Sequence, residues 1–124
     1  MSAFFQRQPH SKYHADRVNA DGMTFDSKAE WRRWCDLRLL ERAGRISHLE
    51  RQVPYELAPA VRLEGSHRMK PAIRLFVDFR YLDESTGKLV LEDTKCVATA
   101  EKEAFRIKLH LLKSVHGLDL KLTR

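Results

Sequence analysis

Asp78, Asp93 and Lys95 are spaced so that they could do phosphodiester chemistry. Residues 72–83 and 88–95 read as two strands of a hairpin closed by the turn cluster Glu84, Ser85, Thr86 and Gly87. In that hairpin Asp83 faces Lys88, and the same register carried inward sets Asp78 across from Asp93. Directly opposed side chains have Cβ atoms about 4.5–5.5 Å apart. Side chains two apart share a face, which adds Lys95 beside Asp93. A register one residue shorter brings Glu92 opposite Asp78 instead, so Glu92 and Asp93 both stay open as the second acid. Two carboxylates this close repel, which raises the pKa of one or calls for a cation. Mg2+ suits such a pair, because it takes oxygen ligands and keeps several waters; Mn2+ is expected to substitute. An ammonium beside the ion can orient a water, hold a phosphate or, if its pKa is lowered, act as a base. The plainer reading is a surface hairpin in which Lys95 neutralises Asp93.

Glu30 is a further candidate. On a helical period it shares a row with Trp34 and Leu37, so it tends to face inward and need a partner, such as a metal or a metal-bound water. It also completes the capping-box pattern that begins at Ser27, and the two roles stay open. Lys108 shares a helical arc with Phe105, Leu112 and Val115. It either lays its stem on the core and points its charge to water or reaches a phosphate. Gln52 reads as an edge-strand polar residue. Arg62, Arg68, Lys70 and Arg74, with Lys12 and His14 on the N-terminal arm, are candidates for backbone phosphate contacts, which are salt-dependent and largely sequence-blind.

The elements that must hold these residues follow from local pattern. Residues 1–15 form a polar arm. Asp21-Gly22 between short β-prone pieces predicts a small hairpin over 18–25. A helix starts at Asp26 or Ser27, runs through Ala43 and closes at Gly44. Its apolar residues spread widely, which implies cover on more than one side. A strand over 49–57 carries Pro54, so it belongs at an edge or a bulge. A loop over 59–70 holds a short strand near 61–63. In the strand over 72–83, Ile73, Leu75, Val77, Phe79 and Tyr81 fall on one face and Arg74, Phe76, Asp78, Arg80 and Leu82 on the other. A helix over 99–116, capped by Thr99 and closed by Gly117, precedes a last strand over 118–122.

The 124 residues fit one domain, 1–124. Hydrophobic residues make up 43%, enough for a modest core and too many for a fully disordered chain. Twenty-three Lys and Arg against 17 Asp and Glu leave +6, which points to a polyanion partner. No apolar run reaches the length of a membrane span, and the N-terminus lacks the apolar stretch of a secretory signal. Cys35 and Cys96 are expected as free thiols in a reducing cytoplasm.

With these residues in place, the sequence resembles the PD-(D/E)XK nuclease superfamily, whose shared core is α-β-β-β-α-β. The resemblance places its helical acid at Glu30, its strand acid at Asp78, with Val77 where the superfamily name has proline, and its (D/E)-x-K element at Asp93-Thr-Lys95. More narrowly, the segments around His14, Glu30, Gln52, Asp78, Lys95 and Lys108 look like a family of small phage-encoded proteins. That family is known as a domain of unknown function with expected endonuclease activity. The resemblance implies a restriction-endonuclease-like α/β fold, with a central mixed sheet flanked by two helices. It implies a Mg2+-dependent endodeoxyribonuclease in a bacterial host cytoplasm, with Asp78, Asp93 and Glu30 at the metal and Lys95 on the attacking water. It adds Gln52 and Lys108 to the expected DNA contacts. Branched DNA or junctions are the expected substrate structures, and a homodimer would allow both strands to be cut. The alternative is a nuclease-like module that binds nucleic acid, or modulates a host protein, without cutting.

Overall fold

The computed structural model describes residues 17–94 and 102–123. A two-stranded antiparallel hairpin, β1 (Val18–Ala20) and β2 (Met23–Phe25), comes first. Asp21 and Gly22 both have positive φ, 52° and 75°, the backbone that a two-residue hairpin turn requires. Helix α1 (Lys28–Arg42) follows, with Ser27 as its N-cap in extended conformation. The Ser27 Oγ accepts the Glu30 N–H at 3.1 Å. Glu30 reciprocates one residue further out than a standard capping box, taking the Asp26 N–H on Oε1 at 2.9 Å. Gly44, at φ 78°, lets the chain leave the helix.

Four strands form the main sheet, in the order β3 (Ile46–Ala58), β4 (Ile73–Asp83), β5 (Lys88–Thr94), β6 (Leu120–Thr123). The first three are antiparallel neighbours, and β6 runs parallel to β5. Between them, helix α2 (Glu103–Leu111) continues into a π-helical turn (Leu112–His116) that Gly117 closes at φ 72°. Within that turn His116 Nε2 donates to the Glu56 carbonyl at 2.7 Å and meets the Tyr55 ring edge-on, which ties the turn to β3. Thr99, the expected cap, lies outside the described residues. The expected strand near 61–63 reduces to a single bridge between Val61 and Lys70. Pro54 sits in the edge strand β3, where its missing N–H costs no ladder bond.

Two cores lie on the two faces of the sheet. Val90 and Leu91 are consecutive in β5, so they point to opposite sides. Val90 packs with Leu37, Ile46, Phe79 and Tyr81 under α1. Leu91 packs with Val53, Leu57, Leu75, Val77, Phe105 and Leu112 under α2. Among the described residues helix α1 is covered along one stripe, where more than one side was expected: Leu37 is fully buried while Leu39 is 59% exposed and Cys35 is exposed and free. The wide spread of its apolar residues comes from Cys35 and Leu39, which the described residues leave exposed.

The simple alternation expected in β4 breaks at one level of the sheet. Val53 and Val77 face α2. Phe79 stacks on Trp34 of α1, and the Arg51 guanidinium lies over Phe25 and Trp34. By strict alternation 51 and 53, and 77 and 79, would share a face. Between them stand Gln52, whose φ is 50°, and Asp78. A non-glycine residue in the left-handed region turns the chain enough to reset the alternation. Asp78 and Phe79 therefore both look toward α1, as do Arg51 and Gln52.

Candidate active site

At this break three elements bring acids together. Gln52 Nε2 donates to Glu30 Oε2 at 3.2 Å and to Asp78 Oδ1 at 3.1 Å. Gln52 is itself exposed, while Glu30 is 3%, Asp78 7% and Asp93 0% exposed. The amide thus stands at the mouth of a buried acidic group.

Asp78 and Asp93 are interlocked. Backbone pairing of β4 with β5 follows the register in which Asp83 meets Lys88, and it runs as far as Phe79 and Glu92. Beyond that pair the side chains take over. The Asp78 N–H donates to Asp93 Oδ1 at 2.7 Å, and the Thr94 N–H donates to Asp78 Oδ2 at 2.8 Å. Each carboxylate accepts a backbone N–H from the other's strand, so neither N–H is left unpaired. Meanwhile β5 keeps its pairing to β6 through Thr94 and Thr123.

The two adjacent acids of β5 have different partners. Glu92 lies opposite Phe79, and Arg33 holds it through two bonds of 2.8 Å. The Tyr81 hydroxyl donates to the same carboxylate. Burial alone would raise the Glu92 pKa, but the hydrogen bonds from Arg33 and Tyr81 carry it below the ordinary value. The hydrogen bond to Glu92 pushes the Arg33 pKa up, and burial, then the bond to Glu92, pushes the Tyr81 pKa up. Glu92 is a structural acid whose oxygens are taken.

Glu30 shows the opposite balance. Its pKa is raised, first by burial and then by the negative charge of Asp78; the Asp26 N–H and the Arg51 charge only partly offset this. Arg51 Nη2 is 3.7 Å from Glu30 Oε2 and donates to the Thr24 carbonyl at 3.0 Å. Of the two roles foreseen for Glu30, the capping role is present at Oε1, which takes the Asp26 N–H, while Oε2 accepts from the Gln52 amide that also reaches Asp78.

The other expected residues are placed elsewhere. Gln52, expected among the DNA contacts, has its amide on two carboxylates. Arg62 Nη1 donates to the carbonyls of Ser66 and His67, at 3.3 and 2.9 Å, and shapes its own loop. Lys70 is held by the bridge to Val61, and Arg68 is exposed. Arg74 lies opposite Glu56, four residues from Asp78 and hence about 14 Å along the strand. Lys108 is half-buried on α2, three residues after the buried Phe105. Lys12, His14 and Lys95 lie outside the described residues.

Arg33, Arg51 and Tyr81 were not singled out by sequence. Arg51 had a signal, since it adjoins Gln52; Arg33 and Glu92 are 59 positions apart and only the fold joins them. A cavity of about 410 Å³ is lined by Ala29, Arg32, Arg33, Asp36, Lys121 and Thr123. Among the described residues no helix is long and apolar enough to cross a membrane. Nor do three or more His, Cys, Asp or Glu side chains there form a ready-made metal cage.

Residues 10–123 match a family described as "Protein of unknown function (DUF1064)", and the chain belongs to that family. No curated protein and no solved structure matches it.

Proposed function

We propose that this member of the DUF1064 family is a Mg2+-dependent endodeoxyribonuclease built on a restriction-endonuclease-like core. One observation carries the reading: the buried acids Glu30 and Asp78 share the exposed Gln52 amide, and the buried Asp93 accepts the Asp78 N–H from the next strand. The fold treats its other buried acid differently. Glu92 receives a two-bond arginine. Among the described residues Asp78 receives neutral donors, the Gln52 amide and the Thr94 N–H, and Glu30 has one cation, at 3.7 Å. Two buried carboxylates as close as Glu30 and Asp78 are costly unless a proton or a cation joins them.

The donor set fits Mg2+, being all oxygen. Asp78 and Asp93 would ligate it, Glu30 would assist directly or through water, and waters would complete the shell. The ion supplies Lewis acidity toward water and phosphate oxygens. The chain's own residues do the rest. Gln52 holds the Glu30 and Asp78 carboxylates in a common orientation. Arg51, sandwiched against Phe25 and Trp34, fixes the far side of Glu30. Lys95, one residue beyond Thr94, positions or activates the attacking water. Arg32 and Lys121, which line one cavity together with Arg33, offer positive charge to a DNA phosphate. A homodimer would supply the second cut in a duplex or junction.

A second reading is favoured by the hydrogen bonds of Asp78 and Asp93 to backbone N–H groups, which give both acids a structural duty. On that reading the fold grips nucleic acid and does not cut it. Supercoiled plasmid incubated with Mg2+, Mn2+ or EDTA separates the two. Wild type should nick only with the metals, while Asp93→Asn and Lys95→Ala should lose at least a hundredfold in rate with unchanged circular dichroism. Nicking in EDTA, or equal rates in all three proteins, would refute the proposal. Tight DNA binding with no nicking would establish the second reading.

A further inference from the structure

The loop and strand end beyond the acidic group are unusual for a surface. Val61, Leu63, Met69, Ile73 and Phe76 are five of the ten large apolar residues most exposed among the described residues. Across the same stretch, 61–76, Arg62, Arg68, Lys70 and Arg74 face a single acid, Glu64, so it holds a net +3 of the chain's +6. Phe76 is 52% exposed, and it stands two residues before Asp78 on the same strand. Its neighbours Leu75 and Val77 are buried under α2, so Phe76 points to the opposite face, the one Asp78 uses. Its cross-strand partner is Pro54, which is also exposed. An aromatic ring is therefore presented to solvent about 7 Å along the strand from the acids, with Arg74 a further two residues out.

Resting on the proposed nuclease reading, we propose that Phe76 is a stacking platform for an unpaired nucleobase next to the cleaved phosphate, and that the substrate is DNA with unstacked nucleotides. An aromatic face stacks any base, and surrounding cations track the backbone. A plain duplex keeps its bases stacked on each other and offers none to Phe76. A second copy of this chain is a poor occupant, because a two-fold contact would bring two such +3 stretches together. An anionic lipid surface would satisfy the charge, but it gives no reason for the ring to share a face with Asp78.

Fluorescence anisotropy in EDTA, so that no cleavage intervenes, tests this with a 20-nucleotide single strand, the matching duplex and a forked duplex. The wild-type protein should bind the single strand and the fork at least tenfold more tightly than the duplex. Phe76→Ala should lose that preference and keep its duplex affinity, and Phe76→Tyr should restore it. Phe76 is exposed, so both variants should keep the wild-type circular dichroism. The proposal is overturned by a wild type with no preference or no binding, or by a Phe76→Ala protein that keeps the preference. It is equally overturned if Phe76→Ala abolishes self-association in sedimentation, or if vesicles of phosphatidylcholine with phosphatidylglycerol bind wild type and not Phe76→Ala while DNA does not discriminate. Cleavage is scored separately: a protein that stacks unpaired bases but never cuts retains this platform and refutes the nuclease.

Discussion

Replacing Arg33 by methionine should be among the most destabilising single changes on the α1 side of the sheet. The substitution keeps the length and apolar packing of the stem but removes both bonds to Glu92. Glu92 is fully buried and would keep only the Tyr81 hydroxyl. Breaking one partner of a buried ion pair costs roughly 3–5 kcal/mol. Because the Arg33 side chain is 26% exposed, water can partly replace it, which places the loss near the lower end, about 3 kcal/mol. For a chain of this size that lowers Tm by roughly 10 °C. Chemical denaturation at pH 7 gives the free energy directly. The pH dependence adds a second signature. In wild type the folded-state pKa of Glu92 lies below its ordinary 4.5, so its stabilising contribution is present above 4.5 and is lost as pH falls through the folded value. Without Arg33 the buried carboxylate prefers its proton, so the deficit of the variant should shrink as pH drops from 7 toward 4. Converting the whole group to apolar residues, Arg33→Met with Tyr81→Phe and Glu92→Leu, should recover most of the loss. A loss below about 0.5 kcal/mol, the range of an ordinary surface change, would refute the reasoning. So would a deficit that does not vary with pH.

Glu30→Gln should stabilise the metal-free protein at neutral pH, since the folded-state pKa of Glu30 is raised. A raised acid pKa means that folding stability falls as pH rises from 4.5 through the folded value, and added Mg2+ should oppose that fall; thermal melts from pH 4 to 8 with and without the ion measure both. Gln52→Gly removes the left-handed strain of a non-glycine residue, worth about 1–2 kcal/mol, so its stability should be no lower than wild type. The same variant frees Glu30 and Asp78 to reorient, and plasmid nicking should drop at least tenfold; a stable variant with full activity would show that the amide has no positioning role.

Local chemistry made much of the frame readable. Asp21-Gly22 marks the first turn, Ser27 the start of α1, and of the two registers the sequence left open for β4 against β5 the structure has the one that pairs Asp83 with Lys88. Long-range contacts were not readable. Nothing within a few residues of Arg33 indicates that it will meet Glu92, and only the fold joins the two. The break in alternation at Gln52 and Asp78 was hidden for another reason. Every residue of β4 fits a regular strand, and the positive φ sits on the neighbouring strand, in a residue type that rarely adopts it. The candidate acids were identified by type and spacing, while their shared amide, the offset capping by Glu30 and the single-sided burial of α1 depend on packing that strand and helix periods do not encode.

The claim at the centre is that Glu30, Asp78 and Asp93 together hold a divalent cation. Titration calorimetry of Mn2+ into the full chain tests it without reference to any nuclease assay. One saturable site in wild type, absent from a folded Asp78→Asn variant and retained in Lys95→Ala, is the expected result. No saturable binding in wild type, or the same isotherm from Asp78→Asn, would contradict it.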